Sequence, residues 1–175
     1  MKFFSENFVE LRQLYISQLR SLLSAEEQIV RALPTMLEKA TDEQLKGAFQ
    51  SHLQESELHV TRLEQILSAA KSVDPSIEST GPLKNKTLAA LVDEAEELIV
   101  DAKDLSVRDA ALIAAAQRVE HYEIAAYGAV RHFAQILGET AAAEQLDKTI
   151  QEEGHADHLL SSIAERVNPN ARRAA

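Results

Sequence analysis

The chain contains no cysteine, which excludes disulfide frameworks, thiolate zinc sites and iron–sulfur clusters and leaves histidine and carboxylate as its metal-ligating side chains. Glycine (5) and proline (4) are scarce in 175 residues, and aromatic residues make up only 5%. A chain so poor in turn formers and so rich in Ala, Leu, Glu and Gln favours helix throughout, so an all-α fold is expected. No apolar run approaches the ~20 residues that span a bilayer, and the segment Met1 to Asn7 lacks the apolar stretch of a secretion signal, which points to a cytoplasmic protein. Positive charge is also short: 18 basic against 28 acidic residues give a net charge of −10. That balance opposes contact with phosphate backbones and anionic lipid, so neither nucleic acid nor a membrane is an expected partner.

What the chain does have is 45% hydrophobic content, enough for one well-filled domain, and apolar residues at helical spacing over four long stretches. Ser5 is a candidate N-cap for a first helix from Phe8 to about Ala40, with Pro34 able to bend it locally because proline has no N–H to donate. Thr41 and Gln44 have the spacing of a capping box and open a second helix to about Lys71. Residues 72–86 carry two prolines and a glycine and read as loop. A short helix spans about Thr87 to Asp104. Ser106 and Asp109 mark the start of a third long helix to Leu137, which Gly138 ends, and a fourth runs from about Thr140 to Val167. Residues 168–175 are expected to form a mobile tail beyond a domain of residues 1–167. Two tight hairpins joined by a long crossover with its own short helix, between the second and third bundle helices, are the layout of a ferritin-like four-helix bundle.

The long helices share an anomaly at mid-length. The stripe Tyr15, Leu19, Leu22, Glu26, Ile29, Leu33, Met36 is apolar except at Glu26. The second stripe, Leu45, Ala48, His52, Glu55, His59, Leu63, Ile66, turns polar only at its centre, and the third breaks at Glu120 and Glu123. Glu26 to Glu55 and Glu123 to Glu152 are each 29 residues apart, so both hairpins set these groups at one height. On the fourth helix Glu152 and His155 are three apart and can meet one ion. The strict apolar seam there (Leu146, Ile150, Leu160, Ile163) selects Glu153 and Asp157 instead. Because histidine is the more discriminating ligand, Glu152 and His155 are preferred, with Asp157 and Glu153 as alternates or supporting partners. The expected metal ligands are therefore Glu26, Glu55, His59, Glu120, Glu123, Glu152 and His155. His52 and His121 read as packing or exposed groups, and Tyr15 and Tyr127 as core aromatics whose hydroxyls need partners. A competing reading places the same carboxylates on a wet groove or a dimer surface.

Carboxylates gathered in a bundle interior would each cost several kcal/mol to desolvate and would repel one another. Two divalent cations remove both penalties, and ligands of this type suit iron or manganese. Iron is the first expectation and manganese the alternative, with oxygen or peroxide as the small oxidant. A bundle that the metal merely stabilises belongs to a different functional class and is the second expectation.

The run Glu152-Glu153-Gly154-His155-Ala156-Asp157 is similar to the fourth-helix motif of bacterioferritins, in which the first glutamate and the histidine bind iron. Over nearly its full length the chain more closely resembles the YciF/YciE family of bacterial ferritin-like stress proteins. The resemblance is carried by Ala25-Glu26-Glu27-Gln28, His52-Leu53-Gln54-Glu55-Ser56, Arg62-Leu63-Glu64-Gln65 and the long run from Arg118 to Gly128. It implies a homodimeric ferritin-like bundle with a dimetal centre and a role in environmental stress. One departure stands out: the usual Glu-x-x-His spacing of the second helix would put glutamate at position 56, where this chain has Ser56.

Overall fold

The computed structural model describes residues 8–77 and 79–172. Five α-helices follow one another, α1 (Leu11–Lys39), α2 (Glu43–Val73), α3 (Lys86–Asp101), α4 (Leu105–Ile136) and α5 (Thr140–Ala171), with no strand among the described residues. Hairpins α1/α2 and α4/α5 pack face to face through α1 against α4 and α2 against α5, and α3 lies across α1 and α4. This is the expected ferritin-like bundle with a helical crossover.

The helix ends differ in detail from the sequence reading. The expected cap Ser5 lies outside the described residues, and α1 starts at Leu11, where the Glu10 N–H donates to Gln13 Oε1 at 3.3 Å. The helix continues through Pro34, whose missing N–H costs one bond on an exposed face. Asp42, not Thr41, caps α2 by accepting from the Gln44 and Leu45 N–H groups, both at 3.1 Å. Asp104, not Ser106, caps α4 by accepting from Ser106 and Val107. A carboxylate at the N-cap also meets the positive end of the helix dipole, which favours aspartate over a neighbouring hydroxyl. Gly138 ends α4 with φ 76°, a left-handed geometry that glycine adopts without a Cβ clash. Residues 168–171, expected in a tail, extend α5 beyond Pro169.

Thr41 and Asp109 have a different task from the capping expected of them. Asp109 is 3% exposed and accepts from the Thr41 N–H at 2.8 Å, the Thr41 hydroxyl at 2.6 Å and the Asp42 N–H at 2.9 Å. It ties the α1–α2 turn to the first turns of α4. Arg166 on α5 closes the same end by donating to both Asp42 oxygens at 2.5 and 2.7 Å. The crossover is anchored by Asn85, which caps α3 and donates from Nδ2 to Ser21 and to the Tyr122 hydroxyl.

The core is divided. Leu33, Leu45, Phe49, Leu112, Ile113 and Leu160 belong to one apolar cluster and Leu19, Leu22, Leu67, Val130 and Leu146 to another. On each of the four long helices a buried polar residue separates the two: Glu26; His52, Ser56 and His59; Glu120 and Glu123; Glu153. Apolar burial on both sides fixes the heights of the helices, and those heights bring the polar residues into one layer.

Asp109→Ala removes the acceptor of two backbone N–H groups and one hydroxyl at the α1–α2 turn and should lower stability by about 3 kcal/mol, or roughly 6–12 °C in Tm. Thermal unfolding of the purified variant measures this, and an unchanged Tm would refute the anchoring role.

Candidate metal centre

α1 presents Glu26 with 0% exposure, α4 presents Glu120 and Glu123 at 2% and 0%, and α5 presents Glu153 at 1%. α2 adds His52 and His59, seven residues apart on its buried seam. Two sets of ligand atoms are close enough to hold an ion, each set lying within 4.8 Å: His52, Glu120, Glu123 and Glu153 in one, and Glu26, His59 and Glu153 in the other. Glu153 belongs to both and is the carboxylate common to the two groups.

The polar atoms in this layer lack partners of their own. Glu26 Oε2, His52 Nδ1, Ser56 Oγ, His59 Nδ1, Glu120 Oε2 and both carboxylate oxygens of Glu123 and Glu153 are buried without a hydrogen bond. His59 Nδ1 lies 3.2 Å from Glu26 and 3.0 Å from Glu153 yet makes an aligned hydrogen bond with neither. Buried groups of this kind are ordinarily paired, and a cluster of orphans facing one point is what a cation would satisfy. The donor set, four carboxylates and two imidazoles without sulfur, fits iron or manganese.

Around the cluster, several contacts hold these groups in place. The Tyr127 hydroxyl donates to Glu26 Oε1 at 2.5 Å, and its ring meets that of His59 edge-on at 6.3 Å. Burial, then the charges of Glu26 and Glu123, push the Tyr127 phenol well above its usual range, so it remains a donor. On the other side of His59, Nε2 pairs with Glu152 at 3.0 Å, and Glu152 is held by Arg62 at 2.8 Å. Arg62 Nη1 also donates to the Thr149 hydroxyl. Burial alone would raise the Glu152 carboxyl, but hydrogen bonds from Arg62 and His59 outweigh it and hold it below the usual range. A carboxylate behind a ligating imidazole fixes its tautomer and aims the other nitrogen at the ion.

The expected ligands thus divide. Glu26, His59, Glu120 and Glu123 come together in the cluster. Glu55 is half-buried on the strip beside the seam, and Ser56 occupies the seam itself with 0% exposure. On α5 the preference for Glu152 and His155 gives way to Glu153. Glu152 backs His59, His155 is exposed, and Asp157 pairs with Gln117 and His121 outside the ligand groups. The buried seam of α5, Leu146, Thr149, Glu153, Ala156, Leu160, Ile163 and Val167, leaves no room for histidine at 155 to face inward. His52, expected as a packing residue, is instead in a ligand group, and its spacing of seven from His59 was the available signal. His121 is exposed, as one of its two readings had it. Tyr15 is a buried core aromatic whose hydroxyl finds no partner among the described residues.

Fold and site together define a ferritin-like helical bundle with a buried carboxylate–histidine cluster able to hold metal. Residues 10–172 match the family described as Domain of unknown function (DUF892). The chain is 36% identical over 166 residues to Protein YciF of Escherichia coli strain K12, covering 94% of this chain and 97% of that one. The crystal structure of that E. coli stress protein superposes with TM-score 0.85 at 35% identity, over 93% of this chain and 99% of the other. A second solved structure, of YcfI from Rhodopseudomonas palustris, provisionally described as a structural protein, gives TM-score 0.82 at 34% identity over 91% and 98% of the two chains. The chain belongs to the DUF892 family, in agreement with the YciF resemblance read from its motifs.

Protonation shows how the cluster behaves without metal. Burial, followed by the charge of Glu153, raises the Glu120 and Glu123 carboxyls well above their ordinary 4.5. Burial opposes charge on His59, but Glu153 and Glu26 outweigh it and lift the imidazole from 6.5 to about 10. Each of these groups holds its proton more tightly folded than unfolded. Their stabilisation is therefore complete below the unfolded values and is lost as pH rises through the folded ones. Through His59 the metal-free protein should lose stability between pH 6.5 and 10, with a slope of at most ~1.4 kcal/mol per pH unit, and Glu120 and Glu123 add to the loss from pH 4.5 upward. Metal displaces those protons, so loading should flatten the slope across this range. Denaturant melts across this range, with and without a divalent ion, test both outcomes.

Proposed function

We propose that this chain is a stress-response protein that holds two metal ions, iron first and manganese as the alternative, in the layer between its two apolar clusters. The observation that carries this is the cluster of unpartnered buried ligand atoms, in which Glu153 belongs to both ligand groups. The stress role follows from similarity to the E. coli stress protein. Two adjacent iron ions, when bound, supply a pair of electrons to a small oxidant such as oxygen or peroxide.

The residues divide the work. Glu153 would serve both ions, Glu26 and His59 would complete the ligands of one, and His52, Glu120 and Glu123 those of the other. Tyr127 holds Glu26 by its hydroxyl proton, and Arg62 through Glu152 holds the His59 ring. Protons on Glu120, Glu123 and His59 leave as ions enter, so uptake strengthens with pH. The apolar clusters above and below keep bulk water out, which strengthens every charge interaction within. A second reading, in which the metal only locks the bundle, draws on the description of the R. palustris relative as structural.

Elemental analysis after anaerobic ferrous loading should find about two ions per chain, about one in Glu26→Ala and none in Glu153→Ala, whereas His155→Ala should keep both. Loss of metal from His155→Ala together with retention in Glu153→Ala would refute this ligand set. Mixing the loaded protein with oxygen or peroxide separates the two functional readings. Rapid consumption of oxidant with a transient absorbance band supports the oxidoreductase, and an inert spectrum supports the structural role.

A further inference from the structure

A cavity of about 170 Å³ lies beside the cluster in the half of the bundle that contains Leu33, Phe49 and Leu160. Its inner end is formed by His52 and Glu120, so it opens directly on one of the two ligand groups. The space exists because five buried positions facing it, Ala48, Ala95, Ala115, Ala116 and Ala156, carry a methyl group where a packed bundle would place larger side chains. Ser51, Glu55, His155 and Leu159 on α2 and α5, with Thr35 on α1 and Glu96 on α3, also line it and are partly or fully exposed, which leaves it open to solvent along these edges. Two residues that the sequence offered as ligands therefore stand at the entrance.

We propose that this cavity binds a small, uncharged, apolar molecule, of benzene to indole size, against the His52–Glu120 face of the cluster. A void of this size between helices destabilises a fold unless something fills it, and an apolar cavity of about 150 Å³ is large enough to take benzene. Charge is disfavoured twice. The apolar wall cannot solvate an ion, and the Glu55 and Glu96 carboxylates on its lining disfavour an anion. Binding stands on the cavity alone; the further step, that the bound molecule is a substrate of the centre, rests on the dimetal reading above.

The test uses the full chain, metal-free and loaded with Co(II), titrated with benzene and with benzoate by calorimetry and methyl NMR. Saturable benzene binding is expected, with benzoate bound at least tenfold more weakly. Ala116→Leu and, independently, Ala48→Leu should weaken benzene by about tenfold or more because the added side chain occupies the space, while Co(II) uptake is retained. Benzene should also shift the visible band of the cobalt-loaded protein. No saturable benzene binding, equal binding in both filled variants, or benzoate binding as tight as benzene overturns the proposal. Benzene binding in a protein that takes up no cobalt supports the cavity and refutes the metal reading.

Discussion

Four glutamates and two histidines, drawn from four helices, share a layer that water scarcely reaches. Taking any one of their charges out of water costs several kcal/mol, and like charges at this spacing repel more strongly as the surroundings become less polar. Without metal, the available remedy is protonation: Glu120 and Glu123 are held neutral, and His59 is held positive between Glu26 and Glu153. Protons answer this excess of negative charge and a metal ion could answer it too, while the geometry of the layer is set from outside. Tyr127, Arg62 and the helix heights do that setting.

The layer also constrains the packing. A polar slab through the middle of a bundle removes apolar contact where the four helices come closest, leaving two separate clusters to hold them together. Both ends are reinforced by polar contacts: hydrogen bonds of Asp109 and Arg166 at the α1–α2 turn, and an ion pair of Arg12 with Glu139 at 2.9 Å at the other end. Asn85 and the Leu83 N–H, which donates to Arg20 at 2.9 Å, bind the crossover to α1 at mid-length. Such bonds fix register, which apolar contact alone specifies weakly, and register determines whether Glu153 reaches both ligand groups.

The sequence revealed most of this and missed the rest for identifiable reasons. Glu26, Glu120 and Glu123 were legible because each interrupts an apolar stripe, and the equal spacing of the hairpins placed them at one height. On α5 the apolar seam pointed to Glu153, but the chemistry of histidine favoured position 155 and overrode the geometry. Burial decides rotation, since a turn that brought His155 inward would expose Leu146 and Leu160, both almost fully buried. On α2 the same rule places Ser56 inward and Glu55 beside it, though glutamate is the more obvious ligand. The caps were misplaced by one or two residues because hydroxyl and carboxylate cap equally well by type, and only Asp109, distant in sequence, shows what Thr41 is for.

The two halves of the core are not equivalent, and the difference bears on what the centre can do. On the Tyr15 side large side chains, Leu19, Leu22, Leu67 and Tyr127 among them, fill the space up to the ligands. On the other side alanines leave a cavity that reaches His52 and Glu120. A site meant only to lock the bundle would be enclosed equally from both directions, since any opening admits water and weakens the charge interactions it supplies. An opening on one side, walled by apolar groups, admits a ligand while limiting water. The asymmetry leaves the His52–Glu120 face as the side on which a small molecule could reach the cluster.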